Sequence, residues 1–389
     1  MVSRPESRKE VSLGDVAYEL AGSVNPLVTP NQLFTEYSMP AFDNRKKATV
    51  VPGSAMLSAR RRIIEPCVLV NKLNVRKRRV WSVLHPEENA VSSFEFVPLA
   101  SSVLDLEFLQ YVALSDEFTA FLEAHTSGTS NSQKRVSANV ILSYLLQLPS
   151  LTEQRAIAEV LSRFDEHLAN LDELIRKKKA IRDGALEGLM SRDLRLDGYN
   201  MPWAVRSLDE IAHSRRELST GDPMDMDVEL ENLLPGEGQV VGDTSVRTAA
   251  SFIFRPGDVL FGRLRPYLKK YWLATCSGLR SGEIWALAAK DGIDPRFLFH
   301  LVRTQRFLDA AGKTMGTKMP RADWSLLKTE SFEVPEVDEQ RAIAEVLSGM
   351  DEEIRLLAEE RAKVERLKLG AMDDLLTGRV RLPLEEEAA

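Results

Sequence analysis

The chain has 389 residues, of which 44% are hydrophobic and 28% are charged, and its formal net charge is −7. A chain of this length and composition predicts a globular protein with two domains rather than one. No apolar stretch is long enough to cross a bilayer or resembles a secretory leader, so we expect a cytoplasmic protein. Cys67 and Cys276 have no neighbours at metal-ligand spacing, and they predict neither a zinc site nor a disulfide.

The negative charge is concentrated at the C-terminal end of the chain. Residues 337–389 carry 8 basic and 14 acidic groups, a net charge of −6, and residues 385–387 form an acidic tail. Residues 1–150 carry 16 basic and 15 acidic groups. The total charge therefore does not exclude a nucleic-acid partner, because phosphate binding depends on local clusters of lysine and arginine.

Residues 1–150 predict a first domain of mixed α and β structure. Apolar runs predict strands at Val68–Leu73 and Phe94–Leu99, and helical spacing of apolar residues predicts a helix at Asp105–Leu122. The densest basic cluster of the chain also lies here, and between residues 60 and 80 only Glu65 opposes it. We expect this cluster to contact DNA, a solvated basic loop being the alternative. Its members are Arg60, Arg61, Arg62, Lys72, Arg76, Lys77, Arg78 and Arg79.

A repeated helix follows the first domain. The sequence EQRAIAEVLS at Glu153–Ser162 returns letter for letter at residues 339–348, and the offset of 186 residues continues to Arg195-Leu196 and Arg381-Leu382. In both copies apolar residues recur at spacings of three and four, which predicts one long amphipathic helix per copy. Each helix would be roughly 55 Å long at about 1.5 Å per residue.

Residues 197–336 predict a second domain that repeats the first, with insertions and deletions in the loops. VLVNKLN at Val68–Asn74 matches VLFGRLR at Val259–Arg265, and Glu95-Phe96 matches Glu283-Ile284. We predict strands at Asp258–Leu264 and Ile284–Ala289 and a helix at Pro295–Ala311.

Basic residues follow the same strand in both copies, which favours a shared nucleic-acid surface. In the second copy, Tyr267, Tyr271 and Trp272 are interleaved with these basic residues, either as core residues or as base contacts. Arginines in such loops can recognise guanine edges, whereas lysines more often hold phosphates. The second-copy residues are Arg263, Arg265, Lys269 and Lys270, and later loops of the two copies add Lys134, Arg135, Lys318 and Arg321.

Two helices of such length must bury their apolar faces on something equally long. The other copy is the obvious candidate, and the short link after Leu196 favours an antiparallel pair with the domains at opposite ends. The expected fold class is therefore α+β, with an antiparallel coiled coil and an approximate two-fold internal repeat.

Catalytic patterns are missing from the sequence. The glycine patterns of nucleotide-binding loops are incomplete, and the five histidines are scattered without nearby partners for a triad or a metal site. We expect no catalytic residues and no metal.

The repeated segments carry a resemblance to a known family. Each domain ends in Leu148-Pro149 or Val334-Pro335, then EQRAIAEVLS follows, and each helix closes in LMSRDLRL (Leu189–Leu196) or LLTGRVRL (Leu375–Leu382). This order resembles the specificity subunit of type I restriction-modification enzymes over essentially the whole chain. YSMPAFDN at Tyr37–Asn44 is similar to one subclass of that family's recognition domains. The first helix has SRD where the second has the more usual TGR, which affects only the junction.

The resemblance implies a non-catalytic, DNA-binding subunit with two target-recognition domains, each of which binds half of a bipartite site on double-stranded DNA. In such families the paired helices set the half-site spacing and dock methyltransferase subunits, and restriction and translocase subunits then join. S-adenosylmethionine, ATP and Mg²⁺ would bind to those partners, and this chain would hold no cofactor. The implied divisions are recognition domains at 1–150 and 197–336 and long helices at 151–196 and 337–389. The alternatives are the recognition subunit of a fused nuclease-methylase system and a coiled-coil scaffold that binds proteins.

Overall fold

Contacts divide the chain into two compact units. Unit 1 contains residues 1–170 and 360–389, and unit 2 contains residues 171–359. Among the described residues, no helix is both long enough and apolar enough to cross a membrane. The structure, a computed structural model, describes residues 8–128, 133–219, 224–245, 251–313 and 320–383.

Unit 1 centres on an antiparallel sheet. Its described elements before the first long helix are β1 (Lys9–Ser12), α1 (Leu13–Val16), β2 (Tyr18–Glu19), β3 (Ser23–Val24), β4 (Leu33–Tyr37), α2 (Met39–Arg45), β5 (Thr49–Pro52), β6 (Arg60–Arg62), β7 (Cys67–Asn71), β8 (Val80–Val83), β9 (Ala90–Ser92), β10 (Phe96–Ala100), α3 (Leu106–Leu114), α4 (Asp116–Ala124), α5 (Ala138–Leu142) and β11 (Leu145–Leu148). The central sheet has the order β2-β10-β7-β8, and a second sheet has the order β3-β6-β9-β4-β5. Every residue of β7 and β10 is buried, which explains their uninterrupted apolar character.

Unit 2 repeats the central sheet. Its described elements between the long helices are β12 (Ala204–Ser207), α7 (Leu208–Ile211), β13 (Ala212–Arg215), β14 (Asp227–Val228), β15 (Phe252–Phe254), β16 (Val259–Gly262), β17 (Tyr271–Leu273), β18 (Gly278–Arg280), β19 (Ile284–Ala289), α8 (Pro295–Leu301), α9 (Gln305–Gly312), α10 (Trp324–Leu327) and β20 (Ser331–Val334). The central order β13-β19-β16-β17 matches that of unit 1, and the β14-β18-β15 sheet is different. The four predicted strands are confirmed as β7, β10, β16 and β19.

Each helix that we predicted after the central sheet is broken into two. Ser115 separates α3 from α4, and its hydroxyl accepts a hydrogen bond from the Phe118 amide at 3.1 Å. Thr304 precedes α9, and its hydroxyl accepts from the Phe307 amide at 3.2 Å. A serine or threonine at this position caps a new helix. The predictions of one continuous helix at Asp105–Leu122 and one at Pro295–Ala311 were therefore wrong.

The two predicted long helices are confirmed. They are α6 (Leu151–Ser191) and α11 (Val337–Thr377), with 41 residues each. Ile157 and Leu161 of α6 pack into the core of unit 1 with Leu375 of α11. Ile343 and Leu347 of α11 occupy the equivalent place in the core of unit 2. The first repeated residues of each helix therefore join that helix to its own domain.

In unit 1 the two helix segments run in opposite directions. Arg381, beyond the end of α11, pairs with Glu153 at the start of α6 at 2.6 Å. Farther along α6, the Asp165 carboxylate pairs with Lys368 at 2.5 Å. As the residue number rises along α6, it falls along α11, so the segments are antiparallel.

Unit 2 contains the same pairs with the helices exchanged. Arg195, beyond the end of α6, pairs with Glu339 at the start of α11 at 2.9 Å, and Arg182 pairs with Asp351. Each of these residues lies 186 positions from its counterpart in unit 1. The duplication thus encodes reciprocal ion pairs, and the antiparallel arrangement expected from the sequence is found within each unit.

A buried polar network that the sequence did not indicate surrounds Asp351. Arg303 donates to both oxygens of this carboxylate, at 2.5 and 3.0 Å, and also contacts the His300 ring nitrogen at 3.0 Å. Burial and the nearby Arg303 charge lower the pKa of His300 to about 3. Burial opposes ionisation of Asp351, but hydrogen bonds and charge from Arg303 and Arg182 hold the pKa of Asp351 below its usual value. Unit 1 has Tyr111 where unit 2 has His300, and its hydroxyl donates to Asp165 at 2.8 Å.

Candidate nucleic-acid interface

The strands β7 and β16 each lead into the same tight turn. We define turn 1 as residues 74–78 and turn 2 as residues 265–269. Each contains one turn of 3-10 helix, over Val75–Lys77 and Pro266–Leu268. The turns close with equivalent hydrogen bonds, from Arg78 to the Val75 carbonyl at 2.9 Å and from Lys269 to the Pro266 carbonyl at 2.9 Å.

The first residue of each turn is held by a second loop of its unit. The Asn74 amide donates to the Lys134 carbonyl at 2.9 Å, and the Arg265 amide donates to the Pro320 carbonyl at 2.8 Å. Leu73 forms an isolated β-bridge with Arg135, and Leu264 forms one with Arg321. The same backbone connections therefore position turn 1 and turn 2.

An arginine and a glutamate form an equivalent ion pair beside each turn. Arg135 pairs with Glu95 at 2.8 Å, and Arg321 pairs with Glu283 at 3.0 Å. The hydrogen bonds from Arg321 to Glu283 raise the pKa of Arg321. The repeat had already matched the two glutamates, but nothing in the sequence indicated that they orient the predicted DNA-binding arginines.

The cations in and next to turn 1 are largely neutralised within unit 1. Arg76 lies 3.2 Å from Glu123, and Arg78 pairs with Asp116. Arg79 is buried and donates to both oxygens of Asp43, each at 2.7 Å. These hydrogen bonds lower the pKa of Asp43, which also lies 4.0 Å from Lys77. The cluster that is most basic in the sequence is thus compensated in space by carboxylates from distant segments.

Turn 2 carries exposed cations without such compensation. Among the described residues, no carboxylate lies within 4 Å of the Arg265 or Lys269 side chain. Tyr267 stands between them and is 62% exposed, which favours the base-contact alternative over the core alternative for this aromatic residue. Lys270 turns inward, where its Nζ donates to the Leu230 carbonyl at 2.7 Å. Arg263 lies over the Trp285 ring at 5.8 Å.

Six predicted residues remain: three lie on β6, two lie beside turn 1, and one lies outside the described residues. Arg60 and Arg61 lie on β6 in the second sheet and pair with Glu36 and Glu19, each at 2.6 Å. Arg62, on the same strand, is exposed. Lys72 is partly buried next to turn 1. Two predicted residues remain: Lys134, which lines a cavity of about 180 Å³ with Asn74, Arg76 and Glu123, and Lys318, which lies outside the described residues.

Unit 2 has a larger cavity at the equivalent position. Its volume is about 430 Å³, and its walls include Tyr267 and Lys269 from turn 2 and Gln305 and Asp309 from α9. Within the described part of the chain, no group of three or more His, Cys, Asp or Glu side chains could hold a metal ion. The side chains in and beside the two turns are therefore charged or aromatic, and the two turns have equivalent backbone conformations.

Comparisons with known proteins agree on one family. The family described as type I restriction modification DNA specificity domain matches residues 277–366. The type I restriction enzyme MjaVIII specificity subunit of Methanocaldococcus jannaschii is 24% identical over 296 residues, which cover 68% of this chain and 68% of that protein. The EcoDI specificity subunit of Escherichia coli is 25% identical over 237 residues, which cover 50% of this chain and 52% of that protein.

Solved structures share the fold along nearly the whole chain. A chain from a study of complex assembly and conformational transition of the type I R-M system has a TM-score of 0.61 at 18% identity, covering 97% of this chain and 99% of that one. The type I restriction-modification S subunit from M. genitalium has a TM-score of 0.57 at 16% identity, covering 97% and 98%. The matched family and the curated relatives, together with this shared fold, indicate that the chain is a DNA sequence-specificity subunit of a type I restriction-modification system.

Proposed function

We propose that each unit recognises one half of a bipartite site on double-stranded DNA, and that turn 1 and turn 2 lie at the two DNA-facing surfaces. The observation that carries this proposal is that the two units present equivalent turns on equivalent sheets, while the side chains on those turns differ. Two similar domains with different surface residues suit the recognition of two different half-sites.

The long helices, in this proposal, set the distance between the half-sites and bind methyltransferase subunits. The reciprocal ion pairs support the first role, because they fix the register of α6 against α11 in each unit. A fixed register in each unit would keep the length of the helix pair constant.

The chain itself would carry out no chemical step. S-adenosylmethionine would bind to the methyltransferase subunits, and ATP and Mg²⁺ to the restriction and translocase subunits. Specificity would come from this chain and catalysis from its partners.

Mapping of methylated positions tests the proposal. The chain would be expressed with the methyltransferase encoded beside it in a host that lacks other methylation, and the modified positions would be sequenced. We expect one motif with two defined halves and an undefined gap of constant length. A single continuous motif, or methylation that does not depend on this chain, would contradict the proposal.

A further inference from the structure

We propose that turn 1 and turn 2 are the base-recognising elements of the two units, and that Arg265, Tyr267 and Lys269 supply the recognition of one half-site. This inference rests on the proposed function and deepens it, since it names the segment of each unit that contacts bases in the duplex.

Backbone strain occurs at the same places in both turns. Asn74 and Arg78 of turn 1 have φ of 52° and 44°, and Arg265 and Lys269 of turn 2 have φ of 51° and 53°. Outside the two turns, Lys46 and Arg192 are the other residues besides glycine that have a positive φ in the described ranges. Glycine adopts this conformation without a steric penalty. Asn74 tolerates it, but Arg78, Arg265 and Lys269 have long cationic side chains there, which points to a function for which those side chains are needed.

The two turns share a backbone but no residue. Turn 1 has the sequence NVRKR and turn 2 has RPYLK, so all five positions differ. Their flanks nevertheless keep the same hydrogen bonds, such as those from Lys72 to the Glu95 carbonyl and from Arg263 to the Glu283 carbonyl, each at 2.9 Å. A preserved backbone with exchanged side chains is expected of an element that recognises different bases in the two units.

Three side chains of turn 2, those of Arg265, Tyr267 and Lys269, are exposed and have no structural role among the described residues. Tyr267 is 62% exposed, and among the described residues neither Arg265 nor Lys269 donates a side-chain hydrogen bond. The turn also borders the cavity of about 430 Å³, next to Gln305. Exposed cations around an exposed aromatic ring fit duplex DNA, which offers phosphates and guanine edges to cations and the thymine methyl group to an aromatic ring in the major groove.

Duplex DNA is favoured over an acidic protein partner because the arrangement occurs twice. A bipartite duplex presents two similar grooves to two similar turns, and arginine can bind a guanine edge with two hydrogen bonds. Lysine at the end of the turn would hold a phosphate as a point charge. Turn 1, whose cations are paired with carboxylates, would make weaker contacts with phosphate than turn 2 does.

A transplant of one turn into the other unit tests the proposal directly. In the complex with the methyltransferase, Arg265→Asn, Pro266→Val, Tyr267→Arg, Leu268→Lys and Lys269→Arg together give turn 2 the sequence of turn 1. We expect one half of the methylated motif to change or to lose base preference, while the other half and the gap stay the same. A bipartite parent motif that the transplant leaves unaltered would overturn the inference and leave the proposed function intact. A parent motif that is not bipartite would remove the proposed function itself.

A second measurement decides the outcome even if the transplant abolishes methylation. The complex carrying Arg265→Gly and Lys269→Gly would bind a duplex with the parent motif and a duplex with the affected half scrambled. Because glycine relieves the left-handed backbone, we expect a melting temperature that is not lower, and a ratio of the two affinities that falls roughly ten-fold or more. Arg192→Gly, also at a positive φ but at the end of α6, is the matched control and should leave the ratio unchanged. An unchanged ratio in the double variant would show that turn 2 does not recognise bases.

Discussion

Arg381 donates hydrogen bonds to both carboxylate oxygens of Glu153, at 3.0 and 2.6 Å, although the two residues are 228 positions apart. Arg195 does the same for Glu339, at 2.9 and 3.0 Å. The arginine that follows each repeated helix therefore pairs with the glutamate in the first turn of the other helix. Each ion pair takes its arginine from one copy of the repeat and its glutamate from the other, so each copy depends on the identical residues at the ends of the other copy.

The Glu153 pair should contribute to stability in proportion to its burial. The Glu153 side chain is 1% exposed, and Arg381→Ala would leave Arg8 as its one ion-pair partner in the described ranges, at a cost of about 1–3 kcal/mol. We expect a lower midpoint in denaturant unfolding followed by circular dichroism. Arg379→Ala, which removes an exposed pair with Asp373, is the control. Equal effects of the two variants would show that burial of Glu153 is unimportant.

Stability of unit 2 should fall as the pH falls below about 6.5 because His300 is buried and neutral. Its pKa is lowered to about 3 in the folded state, so between these values the unfolded chain binds one more proton than the folded chain does. The full contribution is present above pH 6.5, and about 2 kcal/mol is lost by pH 5. His300→Gln should flatten this part of the stability profile, measured by denaturant unfolding at several pH values. An unchanged slope would mean that another group titrates, and His213→Gln, at an exposed position, is the control.

The salt dependence of DNA binding should depend more on turn 2 than on turn 1. Arg265→Ala with Lys269→Ala should reduce the slope of log affinity against log salt by about 0.9 for each phosphate that the variant no longer binds. Arg76→Ala with Lys77→Ala should reduce it less, because carboxylates at 3.2 and 4.0 Å already offset these charges. The test variants exclude Arg79, since its burial against Asp43 would mix folding with binding. Equal slopes for the two double variants would contradict the assignment.

The sequence predicted the parts of this structure that depend on local pattern. The apolar stripe and the 186-residue offset were sufficient to predict α6 and α11. Runs of apolar residues were sufficient to predict the buried strands. The helix breaks were missed because the caps at Ser115 and Thr304 are single residues within otherwise helical patterns. Neutralisation of turn 1 could not be predicted, because Asp43 and Glu123 approach it only after folding. The left-handed backbone of both turns could not be predicted either, because neither turn contains a glycine that would indicate it.

The gap between the half-sites should follow the length of the helix pair, as the proposed function requires. An insertion after Met190 would enter the core of unit 2, where Leu189 and Met190 are buried. The insertion should therefore lie between residues 170 and 171, where α6 passes from unit 1 to unit 2, with a matching insertion between residues 359 and 360 of α11.

Seven helical residues in both places preserve the phase of the apolar stripe to within about 20°. They lengthen the pair by roughly 10 Å, or about three base pairs at roughly 3.4 Å each. Both halves of the methylated motif should stay the same while the gap grows, because neither turn is touched. An insertion in α6 alone is the control, and it should destabilise the chain by shifting the Asp165–Lys368 and Arg182–Asp351 pairs out of register. Methylated positions would be sequenced for the parent and both variants. A stable double-insertion variant with an unchanged gap, or with altered bases in either half, would show that helix length does not set the spacing.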